Sequence, residues 1–128
     1  MEKVIAFPLI GACGIKFGMK REIVKNFLGE SKEFKKSKFS KTTTDDFSYC
    51  HVFYNNNDEC EAIEIFNDVD VYIDNKKIFP TNISYLKAIC TDWLEDNGCY
   101  ISKSLSIGIY APYGKMESIL FGIQHYYE

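Results

Sequence analysis

The sequence predicts an α+β fold, with two amphipathic helices packed on a mainly antiparallel sheet. Residues 15 to 29 place apolar side chains at helical spacing, while residues 49 to 79 and 104 to 123 alternate apolar and polar residues in short runs broken by turn formers. The chain has 128 residues, 46% hydrophobic and 16% aromatic, a length and composition that fit one folded domain over 1–128. A chain of this size hides roughly two-thirds of its unfolded surface, which gives it a core without metal or disulfide staples.

The first segment, MEKVIAFPLIGACG, reads as a strand and a turn. Its lysine, short apolar run and Ile10-Gly11-Ala12 before Cys13 share the outline of a lipoprotein cleavage box. Pro8 breaks that run and the acidic Glu2 sits in the charged start, so strand and turn is the preferred reading. In residues 15 to 29, Met19, Ile23, Val24, Phe27 and Leu28 share one helical face and Gly29 ends the helix. Residues 30 to 44 hold five lysines, two glutamates and only two phenylalanines, the composition of a solvated loop.

From Tyr49 the period changes to that of strands. YCHVFY, CEAIEIF, VDVYI and KIF read as a meander with a tight turn at Asp74 and Asn75, closed by Pro80. Thr81 or Asn82 can cap a second helix, in which Ile83, Leu86, Ile89, Cys90, Trp93 and Leu94 share a face until Gly98. SLSIGIY and MESILFGI form a last hairpin around Ala111-Pro112-Tyr113-Gly114, with QHYYE extending its second strand. Phe53-Tyr54 precedes Cys60-Glu61-Ala62-Ile63 as Ile109-Tyr110 precedes Met116-Glu117-Ser118-Ile119, at a constant offset of 56. Each hairpin follows a helix that ends in glycine, which suggests a degenerate helix-plus-hairpin repeat.

Charge is segregated along the chain. Residues 1 to 44 carry ten basic and four acidic groups, residues 45 to 74 none and nine, and residues 75 to 128 five and five. The nine are Asp45, Asp46, Asp58, Glu59, Glu61, Glu64, Asp68, Asp70 and Asp74. Strand alternation turns Val69, Val71 and Ile73 to the core and Asp70, Tyr72 and Asp74 outward, with Glu64 outward between Ile63 and Ile65. Such a field repels nucleic acid and anionic lipid and steers a basic protein. Glu61, Glu64, Asp68, Asp70, Tyr72 and Asp74 are therefore the expected contact surface for a partner, with Tyr72 as an aromatic anchor.

Catalytic and metal motifs are not apparent. Asp68-x-Asp70-x-x-x-Asp74 lacks the central glycine, the fifth-position ligand and the terminal glutamate of an EF-hand, so no metal or other cofactor is expected. There is no P-loop, G-x-G-x-x-G or G-x-S-x-G sequence. The five cysteines are an odd set without C-x-x-C, which reads as reduced thiols in a cytoplasmic protein. A small enzyme or ligand-binding module built from a thiol with His51 or His125 is an alternative reading.

Two resemblances bear on function. Phe17-Gly18-Met19 entering a helix that ends at Leu28-Gly29 resembles the opening of BamE-type repeats and implies, as another alternative, an envelope accessory lipoprotein attached at Cys13. The compact, acidic, cysteine-tolerant chain with Asn- and Lys-rich loops resembles the immunity proteins of bacterial polymorphic toxin and contact-dependent inhibition systems. That resemblance implies a non-enzymatic inhibitor of a cognate basic toxin, a nuclease whose phosphate-binding site an acidic surface would occlude.

Overall fold

The structure, a computed structural model, describes residues 3–128. Met1 and Glu2, the charged start of the cleavage-box reading, lie outside the described residues. Strand β1 (Lys3–Phe7) buries Val4 and Ala6 and exposes Lys3, Ile5 and Phe7, and two short strands, β2 (Gly11–Ala12) and β3 (Ile15–Lys16), fold back beside it. The expected first strand and turn are present.

Helix α1 (Arg21–Leu28) is shorter than its apolar spacing predicts, because Ile15 and Lys16 pair as β3 and Gly18 takes a φ of 91°. Its end is as expected: Gly29 has a φ of 95° and its N–H donates to the Lys25 carbonyl at 2.8 Å. Of the predicted apolar face only Val24 is buried, while Ile23 and Phe27 stay exposed. The Lys-rich segment is not wholly loop. Lys32–Phe34 forms β4, paired with β5 (Thr44–Asp46).

β6 (Cys50–Tyr54), β7 (Cys60–Phe66), β8 (Asp70–Ile73) and β9 (Lys76–Phe79) match the predicted strands. They are not one meander, however. β8 leaves β7 after a short turn and pairs in parallel with β1, giving a five-stranded sheet of order β3-β2-β1-β8-β9. The second helix is a single 3-10 segment, Ile83–Ala88, whose cap Asn82 accepts from the Ser84 N–H at 2.9 Å. Beyond it, β10 (Trp93–Asp96) and β11 (Cys99–Ser102) form a hairpin where the helix was expected to continue. Asn97 and Gly98 both have positive φ, 50° and 83°, as a two-residue hairpin turn requires. β12 (Ile107–Tyr110) and β13 (Ser118–Gly122) make the last hairpin, but residues 124 to 127 form turns instead of extending it.

The second sheet is wholly antiparallel, with order β10-β11-β12-β13-β7-β6-β5-β4. The inner faces of the two sheets share one apolar cluster, with Val4 and Val71 from the small sheet and Val52, Ile63, Ile65, Ile109, Ile119 and Phe121 from the large one. Val24 of α1 and Leu86 of the 3-10 helix belong to the same cluster. Each fully buried side chain of this kind contributes about 1.5–3 kcal/mol. The α+β class with two helices on a mainly antiparallel arrangement is thus observed.

Element order repeats. A strand of the small sheet, a helix and four antiparallel strands (β1, α1, β4 to β7) are followed by the same series (β8, the 3-10 helix, β10 to β13). The offset of 56 does not carry into register: Phe53 faces Ala62, whereas Ile109 faces Ile119. The repeat lives in the order of elements and not in the residues aligned by that offset.

Candidate functional site

The nine carboxylates divide by what lies beside them. Asp45, fully buried, accepts from Arg21 Nη2 at 2.8 Å, from Arg21 Nε at 3.2 Å and from the Tyr54 hydroxyl at 2.8 Å, with Lys25 Nζ at 3.6 Å. Burial alone would raise its carboxyl, but the hydrogen bonds from Arg21 and Tyr54 and the charges of Arg21 and Lys25 outweigh it and hold the group below its ordinary value. Asp58 lies 3.5 Å from Arg21, Glu59 3.5 Å from Lys20 and Asp46 3.5 Å from His51. Asp45, Asp58 and Glu59 thus face the basic helix or its flank, whereas Asp46 shares the outer face of the large sheet with His51 and Glu64. Asp45 is part of the core and not of a docking surface.

The expected contact residues lie on two faces. Glu64 sits on the outer face of the large sheet, since its neighbours Ile63 and Ile65 point into the core. Glu61 is the extra residue of a bulge, where Phe53 pairs with Ala62 and Tyr54 with Cys60. Asp68 is in the turn between the sheets and Asp74 in the β8–β9 turn. Asp70 and Tyr72 lie on the outer face of the small sheet, opposite in side to the buried Val71. Both outer faces turn away from the shared core, and therefore away from each other. The single acidic sheet is not what forms, because β8 joins β1 and not β7.

The small-sheet group is also partly occupied. Lys77 Nζ is 3.3 Å from Asp70, and Lys3 Nζ lies 4.5 Å from the Tyr72 ring centroid. Among the described residues, Glu61, Glu64, Asp68 and Asp74 make no ion pair.

Around Glu64 the large sheet carries features that sequence reading passed over. Gly108 and Gly122 lie on neighbouring strands and share its outer face, and the chain end folds back so that Tyr127 lies over Gly108 and Tyr126 over Gly122. A methyl group at position 108 would overlap the Tyr127 phenol. A cavity of about 270 Å³ opens there, lined by Glu64, Ile101, Gly108, Tyr110, Leu120 and Tyr127 among others. The Ser118 hydroxyl donates to Glu64 Oε2 at 2.9 Å. Burial, then the charges of Glu61 and Glu64, push the Tyr126 phenol up to about 12, and the Ile123 N–H donates to the Glu61 carbonyl at 3.0 Å, which holds β7 beside the start of the folded-back chain end. Glycines inside strands mark close approach of another group, and that was the available signal.

A second, larger hollow of about 720 Å³ lies between β1 and α1, lined by Lys3, Ile5, Phe7, Cys13, Phe27 and Tyr49 among others. The thiols give little support to nucleophilic chemistry where a shift is evident. Burial pushes Cys60 up to about 12, burial also raises Cys90, and the neighbouring Cys13 together with burial raises Cys50. His51 packs edge-on to Phe34 and Phe66, with centroids 5.0 and 4.7 Å away, and His125 contacts Glu128. Among the described residues no cluster of three or more His, Cys, Asp or Glu is placed to hold a metal, and no helix is long and apolar enough to cross a membrane. The chain matches no known protein family, and no characterised protein or solved structure is significantly similar to it.

Proposed function

We propose that this chain is a non-catalytic binding protein of the immunity class, which neutralises a cognate basic toxin in the cytoplasm by covering its substrate site. The observation that carries the reading is the set Glu61, Glu64, Asp68 and Asp74. These carboxylates have no cationic partner among the described residues, in a thirty-residue stretch without lysine or arginine whose other acids, apart from Asp46 beside His51, are taken up by Arg21, Lys20, Lys25 and Lys77. Unpaired carboxylates raise the on-rate and the selectivity for a cationic surface. The same sign of charge disfavours nucleic acid and anionic membrane as partners.

The face around Glu64 is the better docking candidate. Tyr110 and Leu94, 44% and 57% exposed, stand on it and supply apolar anchors beside the charge. A nuclease toxin holds phosphates with Arg and Lys, so a surface of carboxylates and tyrosines competes for the same groups. The test is co-expression with the product of the adjoining reading frame. That product should arrest growth alone, be harmless with this chain, and co-purify with it. A product that is harmless alone and does not co-purify overturns the reading.

A further inference from the structure

We propose that the cavity beside Glu64 is a socket for one arginine side chain of the partner. The inference rests on the reading of the chain as a binder of a basic protein and adds the group that is recognised. At about 270 Å³ the cavity falls below the roughly 300–1,000 Å³ of pockets that take drug-sized molecules, and suits a single side chain. Its walls are Tyr110, Leu120, Ile101 and Tyr127, whose phenol lies flush over the backbone of Gly108. An aliphatic stem can lie against the apolar wall while a planar cation stacks on a phenol ring.

Glu64 supplies the charge. Ser118 donates to Oε2 only, so Oε1 is left for an incoming donor, and no lysine or arginine among the described residues pairs with it. Glu61, also without an ion pair among the described residues, lies beside the same chain end, where its carbonyl accepts from the Ile123 N–H at 3.0 Å, and adds to the negative potential. A guanidinium fits this combination better than an ammonium, since its flat, weakly hydrated head can stack and donate to a carboxylate together. Tyr127 is a wall only because position 108 has no side chain, so the socket depends on the glycine and on the folded-back chain end.

The probe is Nα-acetyl-arginine methylamide, titrated into the full chain while amide resonances are followed. The expected result is a saturable shift confined to Gly108, Ser118, Leu120 and their neighbours, with a dissociation constant on the order of millimolar. The citrulline analogue, equal in shape but uncharged, should give no saturable shift. Glu64→Gln, which keeps an acceptor for Ser118, should weaken arginine binding about tenfold or more. Tyr110→Ala, at an exposed position, should weaken it without unfolding the chain. No saturable shift, equal binding of citrulline, or an unaltered response in Glu64→Gln overturns the socket. The arms are separable: a toxin that co-purifies equally well with Glu64→Gln keeps the binder and removes the socket, whereas arginine binding without any toxin in the adjoining frame keeps the socket and removes the toxin.

Discussion

Asp45 shows how far a charge count can stand from a surface. Linear alternation offers no reason to turn it inward, and its partners Arg21 and Tyr54 are 24 and 9 residues away. Helix α1 brings the guanidinium over β5, and the carboxylate is then buried against two donors. Breaking a buried pair by removing one charge typically costs about 3–5 kcal/mol. Asp45→Asn is therefore expected to lower the unfolding free energy at pH 7 by about 3 kcal/mol in urea titration. The pH dependence follows from the lowered carboxyl. Near its ordinary value of 3.8 the unfolded chain takes up a proton while the folded chain does not. The stabilisation is complete above that value and is lost as pH falls through the lower folded value, so the mutant should lose less stability than the wild type between pH 7 and pH 3. Parallel acid limbs would remove Asp45 from this account. By contrast, Asp70 with Lys77 was within reach of the sequence, since the Asp74 and Asn75 turn brings these strands together.

Elements were legible where one signal spoke alone and misread where two competed. The strands β6 to β9, the Asn82 cap and the turn at Asp74 and Asn75, whose φ values are 50° and 67°, follow from alternation and turn chemistry. Residues 83 to 98 carry both a helical spacing and an Asn-Gly pair. The helix reading takes Gly98 as a terminator, yet Asn-Gly between apolar runs is the stronger sign of a hairpin. Asp92 reinforces the break, accepting from the Ser102 hydroxyl at 2.7 Å and the Ser104 N–H at 3.0 Å. Trp93 then donates from its indole to the Leu86 carbonyl at 2.8 Å, which ties the hairpin to the 3-10 segment. Gly98 has a φ of 83°, and a Cβ there would come within 2.7 Å of Pro112 Cα. Gly98→Ala should destabilise the fold by about 1–3 kcal/mol, from the positive φ and the contact together. A melting temperature equal to that of the wild type would mean that the hairpin does not need this turn.

At the scale of the whole molecule, the parallel pairing of β1 with β8 decides where the charge goes. No local pattern announces it, because the partners are separated by the whole of β2 to β7, and a parallel ladder has no connecting turn to read. Its consequence is that Glu64 looks out from one sheet and Asp70, Tyr72 and Asp74 belong to the other. A partner docked on the large-sheet face should then sense the two groups differently. Glu64→Lys puts a like charge into the contact and should slow association with the co-purifying toxin about tenfold or more at low salt, while flattening the salt dependence. Asp74→Lys changes the net charge by the same amount from the small sheet, where only the long-range field acts, and the Debye length of about 8 Å at physiological salt screens it. Its association rate should stay within about twofold of the wild type. Stopped-flow rates over a series of salt concentrations separate the cases. Equal slowing by both variants would mean that net charge alone steers the encounter, and slowing by Asp74→Lys only would move the contact to the small sheet.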